Sequence, residues 1–178
     1  MSVYFYGCVT LDGYLADKDG GLGWLYESGT TEETDYADFY QQMDVVVMGR
    51  RTFDAIARDG EPGLAYPSTQ NFVFTHDTTL RAEGFDILNC DAVDFVGQVR
   101  REKNVWIVGG NTILAPLLER GMVDWLILQV APVLLGAGVP LFTQTENLHR
   151  FRLEEVRKYG QFAELRYMKE SEKETGIL

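Results

Sequence analysis

The stretch 104–118, NVWIVGGNTILAPLL, limits the possible folds of this chain more than any other. Val105, Trp106, Ile107 and Val108 form an unbroken apolar run too short for a helix, which reads as a strand buried on both faces of a sheet. Gly109 and Gly110 follow, letting the backbone turn sharply and letting another group come close. Ile113, Leu114, Leu117 and Leu118 then recur at helical spacing. Asn111 or Thr112 is placed to cap the first turn of that helix. Strand, Gly-Gly, helix start is either a plain tight turn or an anion site, since the free N–H groups of a helix N-terminus attract phosphate.

The remaining chain must supply the rest of an α/β layer structure. Its 178 residues suit one domain, over 1–169, with a polar tail at 170–178 expected to fray. The formal net charge of −11 argues against nucleic acid or an anionic membrane as a partner, but leaves a small phosphorylated ligand open. No apolar run reaches the length of a membrane span and the start shows no signal peptide. Cys8 and Cys90 lie far apart in apolar surroundings and are expected to be buried, reduced thiols of a cytoplasmic protein. With His76 and His149 at unrelated spacing, they form no metal motif.

In chain order, residues 3–10 (VYFYGCVT) predict a central strand. Residues 11–25, rich in glycine and aspartate, predict a long loop that carries Tyr14, Leu15, Leu22, Trp24 and Leu25. Such a loop either plugs one end of the core or serves as a binding lid. Thr30, Thr31, Glu32 and Glu33 predict a helix start continued by Tyr36, Phe39, Tyr40 and Met43. Residues 44–48 (DVVVM) predict a second buried strand running into Gly49-Arg50-Arg51-Thr52. Residues 71–75 predict a third strand ending at Thr75-His76. A short strand at 85–88, a helix over 91–101 and a long strand over 124–130 (DWLILQV) follow. Two alternating strands, 151–156 and 162–168, close the chain around Tyr159-Gly160.

That order predicts a mostly parallel sheet with helices on both faces and an antiparallel end. Ligands of such sheets sit outside the carboxyl ends of the strands. Three junctions there carry phosphate chemistry: Gly49 to Thr52, Thr75-His76, and Gly109 to Thr112. Their succession points to a dinucleotide lying across the sheet.

These motifs resemble the dihydrofolate reductase superfamily, over nearly the whole chain. MGRRTFDAI resembles the MGR-x-T-[WF] segment of dihydrofolate reductases. VGGNTILAPLL resembles both their I-G-G segment and the A-G-x-T-L segment of the reductases of riboflavin biosynthesis. VTLDGYLA and VDWLILQVAPVLLGAGVPLF resemble the S-x-D-G-x-[IL]-A and V-D-E-L…P-x-x-L-G segments of that second group. The resemblance implies a three-layer α/β sandwich and an NADPH-dependent reductase acting on a small planar heterocycle. A phosphoribosylaminouracil comes first as substrate and a dihydropterin second; a nucleotide-binding module without turnover is the rival from another class. By the same resemblance Arg50, Arg51, Thr75 and His76 meet an adenosine 2′-phosphate. Gly49, Thr52 and Val108 through Thr112 (Gly109, Gly110 and Asn111 between them) hold the pyrophosphate, and Val9, Leu15 and Ala16 adjoin the nicotinamide. Trp24, Tyr36 and Gln129 face the substrate, and a homodimer is implied.

The chain departs from the riboflavin group at Val108, where that group has glutamate, and at TFDAIARDGEPGL, where it has T-V-x-x-D-D-P-x-L. The proton donor is open. Counting back from MGR to the carboxylate of dihydrofolate reductases lands on Glu33, with Asp35 beside it; Asp12 is a second candidate. A buried Glu33 would have a raised pKa and could deliver a proton, whereas an exposed one only complements the helix dipole.

Overall fold

In the computed structural model, which describes residues 1–29, 34–143 and 147–170, eight strands form one sheet in the order β5-β4-β3-β6-β1-β7-β10-β9. The six from β5 to β7 run parallel: β1 (Val3–Thr10), β3 (Val45–Gly49), β4 (Gln70–Phe74), β5 (Asp86–Leu88), β6 (Val105–Gly109) and β7 (Trp125–Ala131). The antiparallel end is β10 (Phe162–Lys169) paired with β7, and β9 (Phe151–Tyr159) paired with β10. This is the dihydrofolate reductase-like architecture expected from the sequence.

The apolar runs land where their lack of alternation places them. Every residue of β3 is buried, and only Val108 of β6 is less than fully so. Both strands are therefore covered on two faces. One covering layer is α5 (Ala92–Val99) and α6 (Asn111–Glu119), whose Val96, Ile113, Leu114 and Leu117 meet Val3, Phe5, Val47 and Ile107. The other is α2 (Tyr36–Tyr40), α3 (Arg50–Asp59) and α4 (Pro62–Ala65), whose Phe39 and Phe53, with Tyr66 just beyond α4, meet Tyr6, Val46, Met48 and Trp106. Trp106 is the hub of this second layer, with Tyr36, Phe39, Tyr40 and Tyr66 rings around it at 5.4–6.3 Å between centroids.

The loop predicted over 11–25 holds more order than its composition suggests. β2 (Tyr14–Ala16) pairs with β8 (Val139–Pro140), and α1 (Gly23–Tyr26) follows. The close β2–β8 approach requires Gly138, where a Cβ would overlap the Ala16 carbonyl oxygen. Pairing between segments this far apart leaves no local trace. The helix start at residues 30–33 and the tail beyond 170 lie outside the described residues.

Candidate functional site

The junctions after β3 and β6 are neighbours because the two strands pair, with Met48 opposite Gly109. α3 and α6 leave on opposite faces, so their N-termini flank one notch at the strands' carboxyl ends. In both, the N-cap is a glycine in extended conformation, Gly49 and Gly110, and no side chain caps the first turn. This corrects the expected Asn111 or Thr112 cap: Asn111 is the first helical residue, and its Nδ2 donates to the Pro140 carbonyl at 3.0 Å. α5 shows the alternative, with Asp91 accepting from the Val93 and Asp94 amides.

The notch is lined by backbone. A Cβ on Gly109 would lie 3.0 Å from Thr52 Oγ1, and one on Gly110 3.7 Å from the same atom. A Cβ on Gly49 would lie 3.5 Å from Thr112 Oγ1 and 3.9 Å from the Gly110 nitrogen. Gly49, Thr52, Gly109, Gly110 and Thr112 thus form one continuous cradle, with uncapped N-termini and two hydroxyls. It suits the pyrophosphate of a dinucleotide, which needs close backbone approach and N–H donors.

The next strand outward, β4, runs into Thr75 and His76 just past its end. Thr75 Oγ1 accepts from the Asp77 amide at 3.1 Å, and His76 Nδ1 lies 3.0 Å from Asn89 Oδ1. Arg50 reaches this edge but does not present the open fork expected of it. Its Nε donates to Asp54 at 2.7 Å and one terminal nitrogen donates to Asp77 at 2.8 Å. Arg51 is exposed and has no hydrogen bond or ion pair among the described residues. Val9 and Leu15 pack with Ile113 and Leu141 beside the cradle, and Ala16 lies on β2. A cleft of about 200 Å³ separates Gly20, Gly21, Leu22 and Tyr26 of the loop from Ala55 and Arg58 of α3.

Two predicted residues take other roles. Asp12 Oδ1 accepts from Thr10 Oγ1 at 2.5 Å and its Oδ2 from the Gly136 amide at 2.7 Å. These bonds, the Thr10 hydroxyl first, hold its carboxyl below the usual range. It is an ionised clamp on the 133–138 loop rather than an acid. Gln129 is buried with both amide hydrogens engaged, to the Tyr6 hydroxyl at 2.7 Å and Glu164 at 2.9 Å, while its oxygen accepts from Cys8 at 3.1 Å. It positions other groups and has no N–H left for a substrate. Glu33 lies outside the described residues.

Around Gln129 the sheet register assembles a polar row that sequence reasoning missed. Cys8, Gln129, Glu164 and Arg157 stand side by side on β1, β7, β10 and β9. Two residues along, Tyr6, Ile127, Arg166 and Glu155 form the next row on the same face. Glu164 has no exposed surface, yet it is fully partnered, accepting from Gln129 and, at 2.7 Å, from Arg166. Arg166 and Arg157 both donate to Asp35 Oδ2, the latter at 2.6 Å. Burial, reinforced by the Glu164 charge, raises the Cys8 thiol to about 12 and raises the Tyr6 phenol further still. Both stay protonated at neutral pH.

Two buried polar atoms beside this row, Trp24 Nε1 and Asp35 Oδ1, have no hydrogen-bond partner among the described residues. Trp24 packs on Cys8, Ala131 and Phe162, directly above the row. Tyr36 stacks on Tyr40 at 6.0 Å, and burial raises its phenol to about 12. A buried indole donor and a buried carboxylate acceptor, both without a partner among the described residues, mark where a polar planar ligand would gain hydrogen bonds. The one sequence signal for the row was Phe162, Glu164 and Arg166 at a period of two, charges in phase with a core aromatic.

Fold and site together define the dihydrofolate reductase-like class of α/β protein. Within it, the chain belongs to the RibD C-terminal domain family, whose model matches residues 2–163. It is 33% identical over 167 residues to the Bacillus subtilis (strain 168) protein YwjB, covering 92% of this chain and 95% of that one. A putative riboflavin biosynthesis protein from Shewanella sp. PV-4 superposes with a TM-score of 0.83 at 24% identity, over 96% of this chain and all (100%) of its own. A dihydrofolate reductase from Enterococcus faecalis, complexed with NADP(H), superposes with a TM-score of 0.68 at 16% identity, covering 96% and 97%. Family membership supports a reductase of the riboflavin or dihydrofolate type. No described helix is long and apolar enough to cross a membrane.

Proposed function

We propose that the chain is an NADPH-dependent reductase of the riboflavin-biosynthesis type, acting on a small planar heterocycle. The observation that carries this reading is the cradle, where two uncapped, glycine-led helix N-termini meet at the carboxyl edge of adjacent parallel strands. Thr52, Gly49 and Gly109 to Thr112 would hold the pyrophosphate. Arg51, Thr75 and His76 would meet the adenosine end, and Val9, Leu15 and Ala16 the nicotinamide. That the Enterococcus faecalis relative is complexed with NADP(H) supports a nicotinamide dinucleotide as the ligand. When bound, the reduced nicotinamide supplies hydride to a C=N or C=O bond. The residues of the chain orient the acceptor and exclude water.

Trp24 and the Asp35–Arg166–Glu164 row would form the acceptor side of the site. The Trp24 ring offers a stacking surface and its Nε1–H a donor, while Asp35 Oδ1 offers an acceptor with its charge fixed between two arginines. The neutral Tyr6 hydroxyl, within reach of Thr34, is the protonated group next to them. A phosphoribosylaminouracil ranks before a dihydropterin, following the family. Homodimerisation belongs to the same proposal and is read by sedimentation.

Titration with NADPH, following tryptophan fluorescence, tests the cradle. A screen of heterocycles for loss of reduced-nicotinamide absorbance then tests turnover. Binding with no oxidation by any heterocycle would favour a nucleotide-binding module, and no binding would overturn the reductase reading.

A further inference from the structure

The outer end of the proposed dinucleotide site carries an ion-pair cluster that the reductase reading does not use. Arg50 opens α3 and points toward the end of β4. Its Nε is held by Asp54 Oδ1 at 2.7 Å and a terminal nitrogen by Asp77 Oδ2 at 2.8 Å. A guanidinium binds phosphate best through two adjacent nitrogens of one edge. With Nε on one carboxylate and a terminal nitrogen on another, each edge shares a nitrogen with a carboxylate, so a phosphate meets competition at both. The cluster holds two carboxylates against one guanidinium, so its local field disfavours a further anion.

Asp77 is itself anchored. Its Oδ1 accepts from the Thr79 amide at 3.0 Å and the Thr79 hydroxyl at 2.6 Å. Those bonds, with Arg50 next, hold its carboxyl far below the usual range. The pair is therefore ionised at neutral pH. Arg51, exposed and without a partner among the described residues, is the guanidinium left for a phosphate.

Resting on the dinucleotide reading above, we propose that Asp77 is a specificity-determining residue: by engaging Arg50 it narrows the preference for a nicotinamide dinucleotide with a 2′-phosphate over one with a 2′-hydroxyl. The two cofactors share the cradle and differ only at this edge. Removing the Asp77 charge returns one edge of the guanidinium to the ligand, and only the 2′-phosphate gains.

The test is parallel titration of wild type, Asp77→Asn, Asp54→Asn and Arg51→Ala with NADPH and NADH, reading dissociation constants from tryptophan fluorescence. Asp77→Asn keeps an acceptor for Thr79. It is expected to raise the NADPH-to-NADH affinity ratio about fivefold, because partly exposed pairs of this kind are worth little more. The gain comes from tighter NADPH with NADH unchanged. Asp54→Asn moves the ratio the same way by a smaller factor, and it carries the test if the first variant does not fold. Arg51→Ala lowers the ratio. Folded Asp77→Asn and Asp54→Asn proteins with the wild-type ratio would overturn the proposal, as would equal weakening of both cofactors, the mark of a purely structural carboxylate. Wild-type protein that binds neither cofactor overturns the dinucleotide reading, and this inference with it.

Discussion

The cradle offers a ligand backbone, while the row from Cys8 to Arg157 offers buried side chains, and the two react to substitution in opposite ways. At the cradle, glycine N-caps and two hydroxyls leave helix ends open that α5 closes with Asp91. Little stability is invested there, so a change should alter binding and leave the fold. In the row, Glu164 is wholly buried and balanced by Arg166 and Gln129. A change there strips Arg166 of one of its carboxylates and leaves a buried Gln129 N–H without its acceptor, so the fold should suffer first.

The largest expected effect follows. Glu164→Ala removes the acceptor of a buried Gln129 N–H and one of the two carboxylates on Arg166, which keeps Asp35, and leaving a buried donor unsatisfied costs about 1–3 kcal/mol. Urea denaturation should show that loss, with Glu164→Gln falling between it and wild type because the amide still accepts. A loss no larger than that from breaking the surface Arg152–Glu154 pair in Arg152→Ala would erase the contrast between the regions. Next comes Gly109→Ala, whose Cβ would press on Thr52 Oγ1 at 3.0 Å. Dinucleotide affinity should fall on the order of tenfold or more, about 1.4 kcal/mol, with a smaller shift in the urea midpoint than Glu164→Ala. Unchanged affinity would mean that the cradle holds no pyrophosphate.

The same contrast explains what could be read before the structure. The cradle is local: strand, glycine and helix start are contiguous in 45–53 and 105–118, so their periodicities and the Gly49, Gly109 and Gly110 breaks disclosed it. The parallel sheet followed from the apolar runs of β3 and β6. The row is non-local, assembled by register between residues 8, 129, 157 and 164. One slip of register would scatter it, and no window of sequence contains it. The pairing of Arg50 with Asp77, 27 residues on, was hidden for the same reason. Tyr6 and Glu164, the partners that occupy Gln129, stand on other strands and were hidden in the same way.

pH separates the regions again. Asp77 beside the cradle and Glu155 at the end of the row have carboxyl groups held below their ordinary range. The stability they contribute is present above about pH 4, the unfolded value, and is lost as pH falls through their folded values. Cys8 and Tyr6 are raised, Cys8 to about 12. Their contribution is complete below the unfolded values, about 8.5 for thiol and about 10 for phenol, and is lost as pH rises through the folded ones. Melting temperature against pH should fall at both ends. Cys8→Ala should flatten only the alkaline limb, and Asp77→Asn only the acid one. A Cys8→Ala protein with an unchanged alkaline limb would break the link between the row and that limb.

The smallest effect concerns the thiols themselves. Cys90 is exposed, whereas Cys8 is partly buried under Trp24, bonded to Gln129 and kept protonated by burial and the Glu164 charge. The thiolate is the reactive form. Native protein at neutral pH should therefore take up a small alkylating reagent quickly at Cys90 alone, with Cys8 following only as the chain opens. Glu164→Gln removes the charge that helps hold the proton on Cys8, so its labelling should accelerate relative to wild type in the folded protein. Equal fast labelling of both thiols in the wild type would show that the row is open to solvent, and with it the dry acceptor side proposed for the site would fail.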